Sequence, residues 1–279
     1  MASSTLSLPQ VKFGKHSISR LIAGGNPTQG GSHQTHLMDM QMSEYFTLEK
    51  LVEFIRRCKE QGINTWQTDY GKNIADAIRK YRESGEEIQW ICLYSPDQVA
   101  NKEEFSKVLD LNPIGVAFHG EVTDHLWRDG KIDTIPDTLA RIRDSGVMVG
   151  LSTHNPEVIN YVEEKSWDLD FYMACVYRKS RNYNELMEIM HEIPIGEIYL
   201  PSDFAKMCET ISKATKPCLA FKIFAAGRTC DSSDQVRNVF EFVFGHIKPA
   251  DAVIVGMYPR YTDQIKENAD FTRMYASIK

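Results

Sequence analysis

Two histidines stand at the ends of short apolar segments, where they could transfer protons or bind a metal. His119 closes the segment Pro113–His119, and His154 closes the segment Val147–His154. Both segments lack charged residues and are followed by sequence typical of a helix start, which indicates strands buried on both faces of a parallel sheet. An imidazole titrates near neutral pH and is a common metal ligand. We therefore predict that both rings reach one polar site.

A metal site is one interpretation of these histidines. The glycine-rich segment after the first predicted strand carries two more, His33 and His36. Neutral imidazoles from separate strands, joined by one from a loop, form divalent metal sites of a common kind. We expect His33, His119 and His154 to bind zinc, manganese or iron, with Glu121 completing the ligand set or acting as a base. His36 is the alternative to His33.

A lysine interrupts an apolar segment near the carboxyl end of the chain. Lys222 lies within Leu219–Ala226, which is otherwise uncharged. Burying an unpaired ammonium is costly, so this side chain must be paired or neutral. It suits a Schiff-base nucleophile, a general base, or a clamp for a substrate carboxylate or phosphate. The structural alternative is an ion pair with Asp69 or Glu121.

Further polar residues follow predicted strands. Asp69 and Tyr70 come after the second strand and supply an acid and a phenol for proton transfer. Arg228 and Arg260 follow the seventh and eighth strands, in the loops that hold phosphate in many barrel enzymes. Either arginine could bind the phosphate of a cofactor or of a sugar phosphate, or could simply be solvated.

Strand-like and helix-like segments alternate along the whole chain. Val11–Ile22 predicts a hairpin that leads into a first strand, and seven further strand–helix units follow. Eight such units indicate a closed parallel barrel. We predict an α/β fold with a single (β/α)8 TIM barrel over residues 1–279. Its active site would lie at the carboxyl ends of the strands.

One connection is longer than the others. Residues 178–201 connect the sixth strand to the next main helix, and this connection has about twice the usual number of residues. Because this loop would overhang the carboxyl face of the barrel, we predict a lid over a ligand. The alternative is an inert surface insertion.

The composition restricts the class of protein. The 279 residues carry a net charge of −6, with 42% hydrophobic and 25% charged residues, as in ordinary globular proteins. We expect no nucleic-acid partner and no membrane, because both need clustered basic residues or a long apolar span. The amino terminus lacks a signal-peptide pattern, and six scattered cysteines without a C-x-x-C motif favour reduced thiols. We therefore predict a cytoplasmic protein with a small-molecule substrate, and leave its oligomeric state open.

Four segments resemble motifs of the aldo-keto reductase superfamily. They occur in the family's order and are Gly62–Gly71 (GINTWQTDYG), Gly115–His119 (GVAFH), Gly150–Val158 (GLSTHNPEV) and Asp263–Asn268 (DQIKEN). The resemblance implies a barrel of that type with an amino-terminal β-hairpin. It also implies NADPH-dependent carbonyl reduction through an Asp, Tyr, Lys and His tetrad.

The resemblance assigns roles to individual residues. His119 takes the place of the tetrad histidine and Tyr70 that of the tyrosine. Ser152 and Asn268 fall on cofactor-binding positions.

The chain departs from the family at several of these positions. Gln67 replaces the tetrad aspartate, and the lysine position falls near Leu93. Around the nicotinamide, the family's asparagine, glutamine and ring-stacking tyrosine become Thr153, Met173 and Phe221. Because these changes remove hydrogen bonds that orient the carboxamide, worth about 1 kcal/mol each, we expect nicotinamide cofactors to bind poorly.

The favoured interpretation is an enzyme that has lost nicotinamide chemistry. We expect a lyase, isomerase or epimerase acting on a small polyhydroxy or carbonyl substrate, with a divalent metal polarising an oxygen. Lys222, Tyr70 or Asp69 would move the proton. One alternative is an NADPH-dependent reductase with a trimmed tetrad that uses Tyr70 and His119. Another is a non-catalytic binding barrel.

Overall fold

Ten strands form a hairpin and a barrel in this computed structural model, which describes residues 7–277. The hairpin is β1 (Gln10–Phe13) and β2 (His16–Ser19). The barrel strands are β3 (Leu21–Gly24), β4 (Thr65–Asp69), β5 (Gln89–Tyr94), β6 (Gly115–Phe118), β7 (Met148–Thr153), β8 (Phe171–Cys175), β9 (Cys218–Phe221) and β10 (Ala252–Gly256).

Twelve α-helices accompany these strands in the described part of the chain. They are α1 (His36–Tyr45), α2 (Leu48–Glu60), α3 (Lys72–Arg82), α4 (Pro96–Ala100), α5 (Lys102–Leu109), α6 (Gly120–Arg128), α7 (Ile135–Asp144), α8 (Pro156–Glu164), α9 (Tyr183–Met190), α10 (Pro201–Lys213), α11 (Ser233–His246) and α12 (Gln264–Tyr275). Across residues 7–277, no helix has both the length and the apolar character to cross a bilayer.

The eight barrel strands are all parallel and close on themselves. Each pairs with the next along the chain, and β10 pairs with β3, with Val253 opposite Leu21. The prediction of a (β/α)8 TIM barrel with an amino-terminal hairpin is therefore confirmed. The hairpin packs beneath the barrel, where the ring of Phe13 lies 4.9 Å from that of Phe171.

The first loop contains a helix that the sequence did not predict. Residues 25–35 lead into α1, which begins after Thr35, whose hydroxyl accepts a hydrogen bond from the backbone of Met38. A threonine that accepts in this way satisfies one of the free N–H groups at a helix start. The methionines of this segment therefore lie on a helix above the barrel mouth, and Met38 and Met42 line the cavity described below.

The barrel interior is packed around Phe171, which is fully buried. A Cβ atom on Gly150 would lie 2.3 Å from the nearest carbon of this ring. Only glycine leaves room for the ring here, because the barrel axis is filled by side chains from several strands.

We expect Gly150→Ala to lower the free energy of unfolding by about 1–3 kcal/mol, because the added methyl group overpacks the interior. Chemical denaturation measures this loss. Combining it with Phe171→Leu should recover part of the loss. Gly245→Ala, at a helical glycine with no heavy atom near its Cβ position, should not destabilise the protein. A neutral Gly150→Ala variant would contradict this packing.

A buried arginine joins the start of the barrel to the end of the chain. Arg20, which is 3% exposed, donates hydrogen bonds to the backbone carbonyls of Asp251, Ala276 and Lys248 at 2.9, 2.9 and 3.0 Å. Its guanidinium also lies 4.8 Å from the ring centre of Phe244. Arg20 therefore links β3 to the segment before β10 and to the end of α12.

Candidate active site

A cavity of about 780 Å³ opens at the carboxyl ends of the barrel strands. Its wall includes apolar side chains from the strands, among them Leu93, Met173, Phe221 and Ile254. Titratable side chains line the same cavity, among them His33, Asp69, His119, Glu121, His154, Lys179 and Lys222. A wide apolar cavity with a few convergent polar groups is the usual form of a small-molecule site.

His154 is held by a buried carboxylate that the sequence did not reveal. Its Nδ1 lies 2.7 Å from Oδ2 of Asp124, a residue of α6. Asp124 also accepts hydrogen bonds from the hydroxyl of Thr153 at 2.6 Å and from the backbone N–H of His154 at 3.2 Å. An ionised carboxylate only accepts hydrogen bonds, so Nδ1 of His154 carries a hydrogen and donates it to Asp124.

This arrangement leaves Nε2 of His154 with the free lone pair of a neutral imidazole. Burial lowers the pKa of His154, and the contact with Asp124 opposes that shift without cancelling it. The ring is therefore neutral near pH 7. An imidazole whose Nδ1 is held by a carboxylate is the arrangement that general bases use in enzymes.

Asp124 left no signal in the sequence because it pairs with a residue 30 positions away. It lies in the middle of α6, where an acidic residue is ordinarily solvated. Only the packing of α6 against β7 makes it a partner of His154.

Lys222 is the first residue after β9 and lies partly buried in the cavity. Neither a hydrogen bond nor an ion pair holds its ammonium among the described residues, so the alternative of an ion pair with Asp69 or Glu121 is not formed. Burial and, to a smaller extent, the nearby charge of Lys179 lower the pKa of Lys222 to about 8, against weaker opposing effects of Cys175, Glu197 and Glu121. The amine is therefore partly neutral near physiological pH.

Asp69 and His119 lie at the same cavity. Asp69 is exposed at the rim, yet desolvation by the surrounding protein raises its pKa; Glu121 adds to this rise, whereas His119 and Lys222 oppose it. Nδ1 of His119 is shielded from solvent and has no hydrogen-bond partner in residues 7–277. Both residues line the cavity.

Tyr70 is not among the residues that line the cavity. Its ring packs edge-on against Tyr94, with the ring centres 6.3 Å apart. The residue follows β4 directly, but the side chain turns towards the helices that cover the barrel. The structure therefore gives the predicted catalytic role of Tyr70 no support.

The predicted metal ligands are not assembled as a set. Within the described residues, no three His, Cys, Asp or Glu side chains are grouped so that they could hold a metal ion. Both ring nitrogens of His33 are engaged, Nδ1 with Glu197 at 2.8 Å and Nε2 with Asn26 at 2.9 Å. His36 begins α1 instead of pointing a ligand into a shared site. The residues present do not fit the four-ligand site that we predicted.

Two of the predicted cofactor-binding residues line the cavity and two do not. Ser152 lies beneath Gly120, with its hydroxyl shielded and unpartnered in the described chain, and Asn268, a residue of α12, lines another part of the cavity. Arg228 instead donates to the carbonyl of His33 and stacks over Tyr199. Arg260 is exposed and donates to the hydroxyl of Tyr258.

The nicotinamide positions fit that cofactor poorly. The hydroxyl of Thr153 is already bonded to Asp124 at 2.6 Å, so it is not free to orient a carboxamide. Met173 offers no hydrogen-bond donor of its own. Phe221 faces the ring of His154, with the ring centres 5.5 Å apart.

The connection between β8 and α10, which we call the lid, reaches the rim of the cavity through Lys179. Glu197 of the lid accepts hydrogen bonds from Lys179 and Tyr199 of the same connection and from His33 of the first loop. Burial alone would raise the pKa of Glu197, but these three donors outweigh it and hold the pKa well below its usual range. Glu197 therefore fastens the lid to the first loop while ionised.

We expect Glu197→Gln to loosen the lid, because the neutral amide cannot keep the charge-assisted hydrogen bonds that the carboxylate accepts from Lys179, Tyr199 and His33. Amide hydrogen exchange of residues 176–200 should become about 5–30-fold faster, as for a local opening eased by 1–2 kcal/mol. Glu188→Gln, an exposed change on α9, is the control and should leave exchange unchanged. Equal protection in both variants would show that Glu197 does not hold the lid.

Comparisons with known proteins identify the fold alone. No protein-family model matches the chain, and no curated protein does. A truncated 3-deoxy-D-arabino-heptulosonate 7-phosphate synthase from Thermotoga maritima is 12% identical, with 97% of this chain and 90% of that one covered and a TM-score of 0.55. The apo form of Gox0644 is 12% identical over 95% of this chain and 88% of its own, with a TM-score of 0.58.

An aldo-keto reductase is also among the similar structures. The glycerol dehydrogenase AKR11B4 from Gluconobacter oxydans is 11% identical over 97% of this chain and 98% of its own, with a TM-score of 0.52. Identities this low establish shared architecture and not shared chemistry. The chain is a TIM-barrel protein, and its likeness to aldo-keto reductases in particular is a resemblance of motifs.

Proposed function

We propose that this protein is an enzyme that moves a proton on the carbon next to the carbonyl group of a small polar substrate. The observation that carries the proposal is the Asp124–His154 pair, which presents a free imidazole nitrogen to a cavity that also contains the unpaired Lys222. The similar solved structures named above include enzymes, which agrees with a catalytic role. The reaction class would be isomerisation, epimerisation or a lyase reaction.

His154 suits the role of base in such a reaction. Its Nε2 would take the proton from the carbon, and Asp124 would stabilise the resulting imidazolium through Nδ1. The lowered pKa of His154 keeps the base unprotonated before the substrate binds.

The negative charge that develops on the carbonyl oxygen needs a nearby cation or acid. Lys222, whose pKa is about 8, is mostly protonated at pH 7 and can donate to that oxygen. Asp69, whose pKa is raised, can return a proton to the substrate from the rim. No step is assigned to a metal, because the expected ligands are not grouped.

A carbonyl reductase is the second candidate. The cavity continues past Lys222 to Glu267 and Asn268, the residues that the resemblance associates with a dinucleotide cofactor. The occupied hydroxyl of Thr153 and the apolar Met173 argue against a well-oriented nicotinamide. The reductase is therefore supported only by the part of the cavity near Glu267 and Asn268.

Proton exchange tests the proposal without knowledge of the product. Wild-type protein is incubated in D2O with small 2-oxo acids and ketoses, and NMR follows deuterium at the carbon next to the carbonyl. We expect exchange without any added cofactor in the wild type and its loss in His154→Gln. Consumption of NADPH with a carbonyl substrate, without exchange, would support the reductase instead.

The cysteines bear on where the protein works. None of the six is disulfide-bonded, and five are buried. Free, buried thiols agree with a reducing compartment, and we propose the cytoplasm.

A further inference from the structure

We propose that Lys222 bonds covalently to the substrate, its amine forming an imine with the carbonyl carbon of an aldehyde or ketone. The inference rests on the proposed function and deepens it, because it makes Lys222 a nucleophile instead of an acid that donates to the carbonyl oxygen, and restricts the substrate to an unhindered carbonyl compound. Three observations carry it: the position of Lys222, its lack of a partner, and the acid and base groups around it.

The backbone places Lys222 in a strained and therefore well-defined position. Its φ is 60°, and the next loop repeats this conformation at Ala225 and Ala226, with φ of 49° and 53°. Left-handed backbone costs roughly 1–2 kcal/mol for a residue other than glycine. Such strain persists only where the surroundings hold it, and it is commonest at active sites. Lys222, held in this conformation at the end of β9, lines the cavity.

Lys222 differs in its contacts from the other lysine that lines the cavity. Lys179 is bound to Glu197 of the lid, whereas Lys222 has no hydrogen bond or ion pair within residues 7–277. An amine must be unprotonated and unengaged to attack a carbonyl. Burial and the charge of Lys179 lower the pKa of Lys222 to about 8. Roughly a tenth of the amine is then neutral at pH 7, against less than a thousandth for an ordinary lysine.

The step balances with groups that line the same cavity. The lone pair of Nζ adds to the carbonyl carbon as the C=O π bond breaks, and one proton passes from nitrogen to oxygen. Asp69 or His119 then protonates the hydroxyl group, which leaves as water while the C=N bond forms. No electrons are gained or lost overall, and hydrolysis reverses the bond. The protonated imine weakens the neighbouring C–H bond that His154 would ionise.

Reduction traps this intermediate. Full-length protein is incubated at pH 7.5 with pyruvate or with dihydroxyacetone and treated with sodium borohydride, and the adduct is located by peptide mass spectrometry. We expect one adduct per chain, on the peptide that contains Lys222, formed at least tenfold faster than on any surface lysine. Lys222→Arg should remove it, and Lys222→Gln should do the same if the arginine variant folds poorly.

The matched control is Lys72→Arg. Lys72 lies three residues after β4, at the start of α3, and its side chain is 87% exposed and pairs with Asp76 at 2.8 Å. This variant should be labelled as the wild type is. Adducts spread over surface lysines, or no adduct at Lys222 with either probe, would overturn the proposal.

The two proposals can fail separately. Proton exchange that survives in Lys222→Arg, with no trapped adduct in the wild type, would refute the imine and leave the acid–base function in place. A trapped adduct at Lys222 without any proton exchange would support the imine and refute the proposed acid–base function.

Discussion

Replacing Asp124 by Asn should lower the proton-exchange rate by about 10²–10⁴-fold while leaving the fold intact. The amide keeps the size of the carboxylate but carries no charge, and its NH₂ group can donate to Nδ1 of His154. The donating NH₂ group favours the tautomer with hydrogen on Nε2, which has no lone pair for the substrate proton, and the missing charge no longer stabilises the imidazolium. A change of this kind removes most of the benefit of a positioned general base.

The tautomer of His154 shows whether Asp124 orients this ring or only stabilises the fold. ¹⁵N NMR of the imidazole should show hydrogen on Nδ1 of His154 in the wild type and on Nε2 in Asp124→Asn. Asp129→Asn, at the exposed end of the same helix, is the control. An unchanged tautomer together with a nearly unchanged exchange rate would mean that Asp124 does not orient the base.

Arg20→Met should be the most destabilising of these substitutions. Methionine retains much of the aliphatic stem but removes three hydrogen bonds to buried carbonyl oxygens. A buried acceptor that loses its donor costs about 1–3 kcal/mol, and water can reach some of these sites once the guanidinium is gone. We expect a loss of about 3–5 kcal/mol in the free energy of unfolding and a fall of about 10 °C in Tm.

Calorimetry and chemical denaturation measure this effect. The control is Arg79→Met on α3, whose side chain is 54% exposed and has only a 3.7 Å contact with Asp76. That change should stay within about 0.5 kcal/mol of the wild type. A loss below about 1 kcal/mol for Arg20→Met would show that the three hydrogen bonds add little net stability.

The fold could be predicted because it depends on regularities that recur along the chain. Short uncharged segments alternate with helical segments eight times, and parallel strands in that order have few ways to pack other than a closed barrel. The same logic placed His119, His154 and Lys222 at strand ends, and all three line the cavity. For these three residues, the residue type and the position relative to a strand end were enough to predict that they line the cavity.

The partners of these residues could not be predicted in the same way. Asp124 meets His154 across the interface of a helix and a strand, and Glu197 meets His33 across 164 residues, so neither contact has a characteristic spacing. The direction of the Tyr70 side chain could not be predicted either. It directly follows a strand end, but the first residues after a strand can turn either way, and its ring packs against Tyr94 outside the cavity.

The link made by Arg20 has a consequence for how the chain folds during synthesis. Its three carbonyl partners lie 228, 231 and 256 residues further along the chain. At roughly 5–20 residues per second, a ribosome needs on the order of ten seconds or more to produce them. Throughout that interval one edge of β3 has no strand to pair with and the guanidinium has no acceptors. The nascent chain therefore presents an open sheet edge, which is the feature that chaperones shield and that aggregation exploits, until β10 is made.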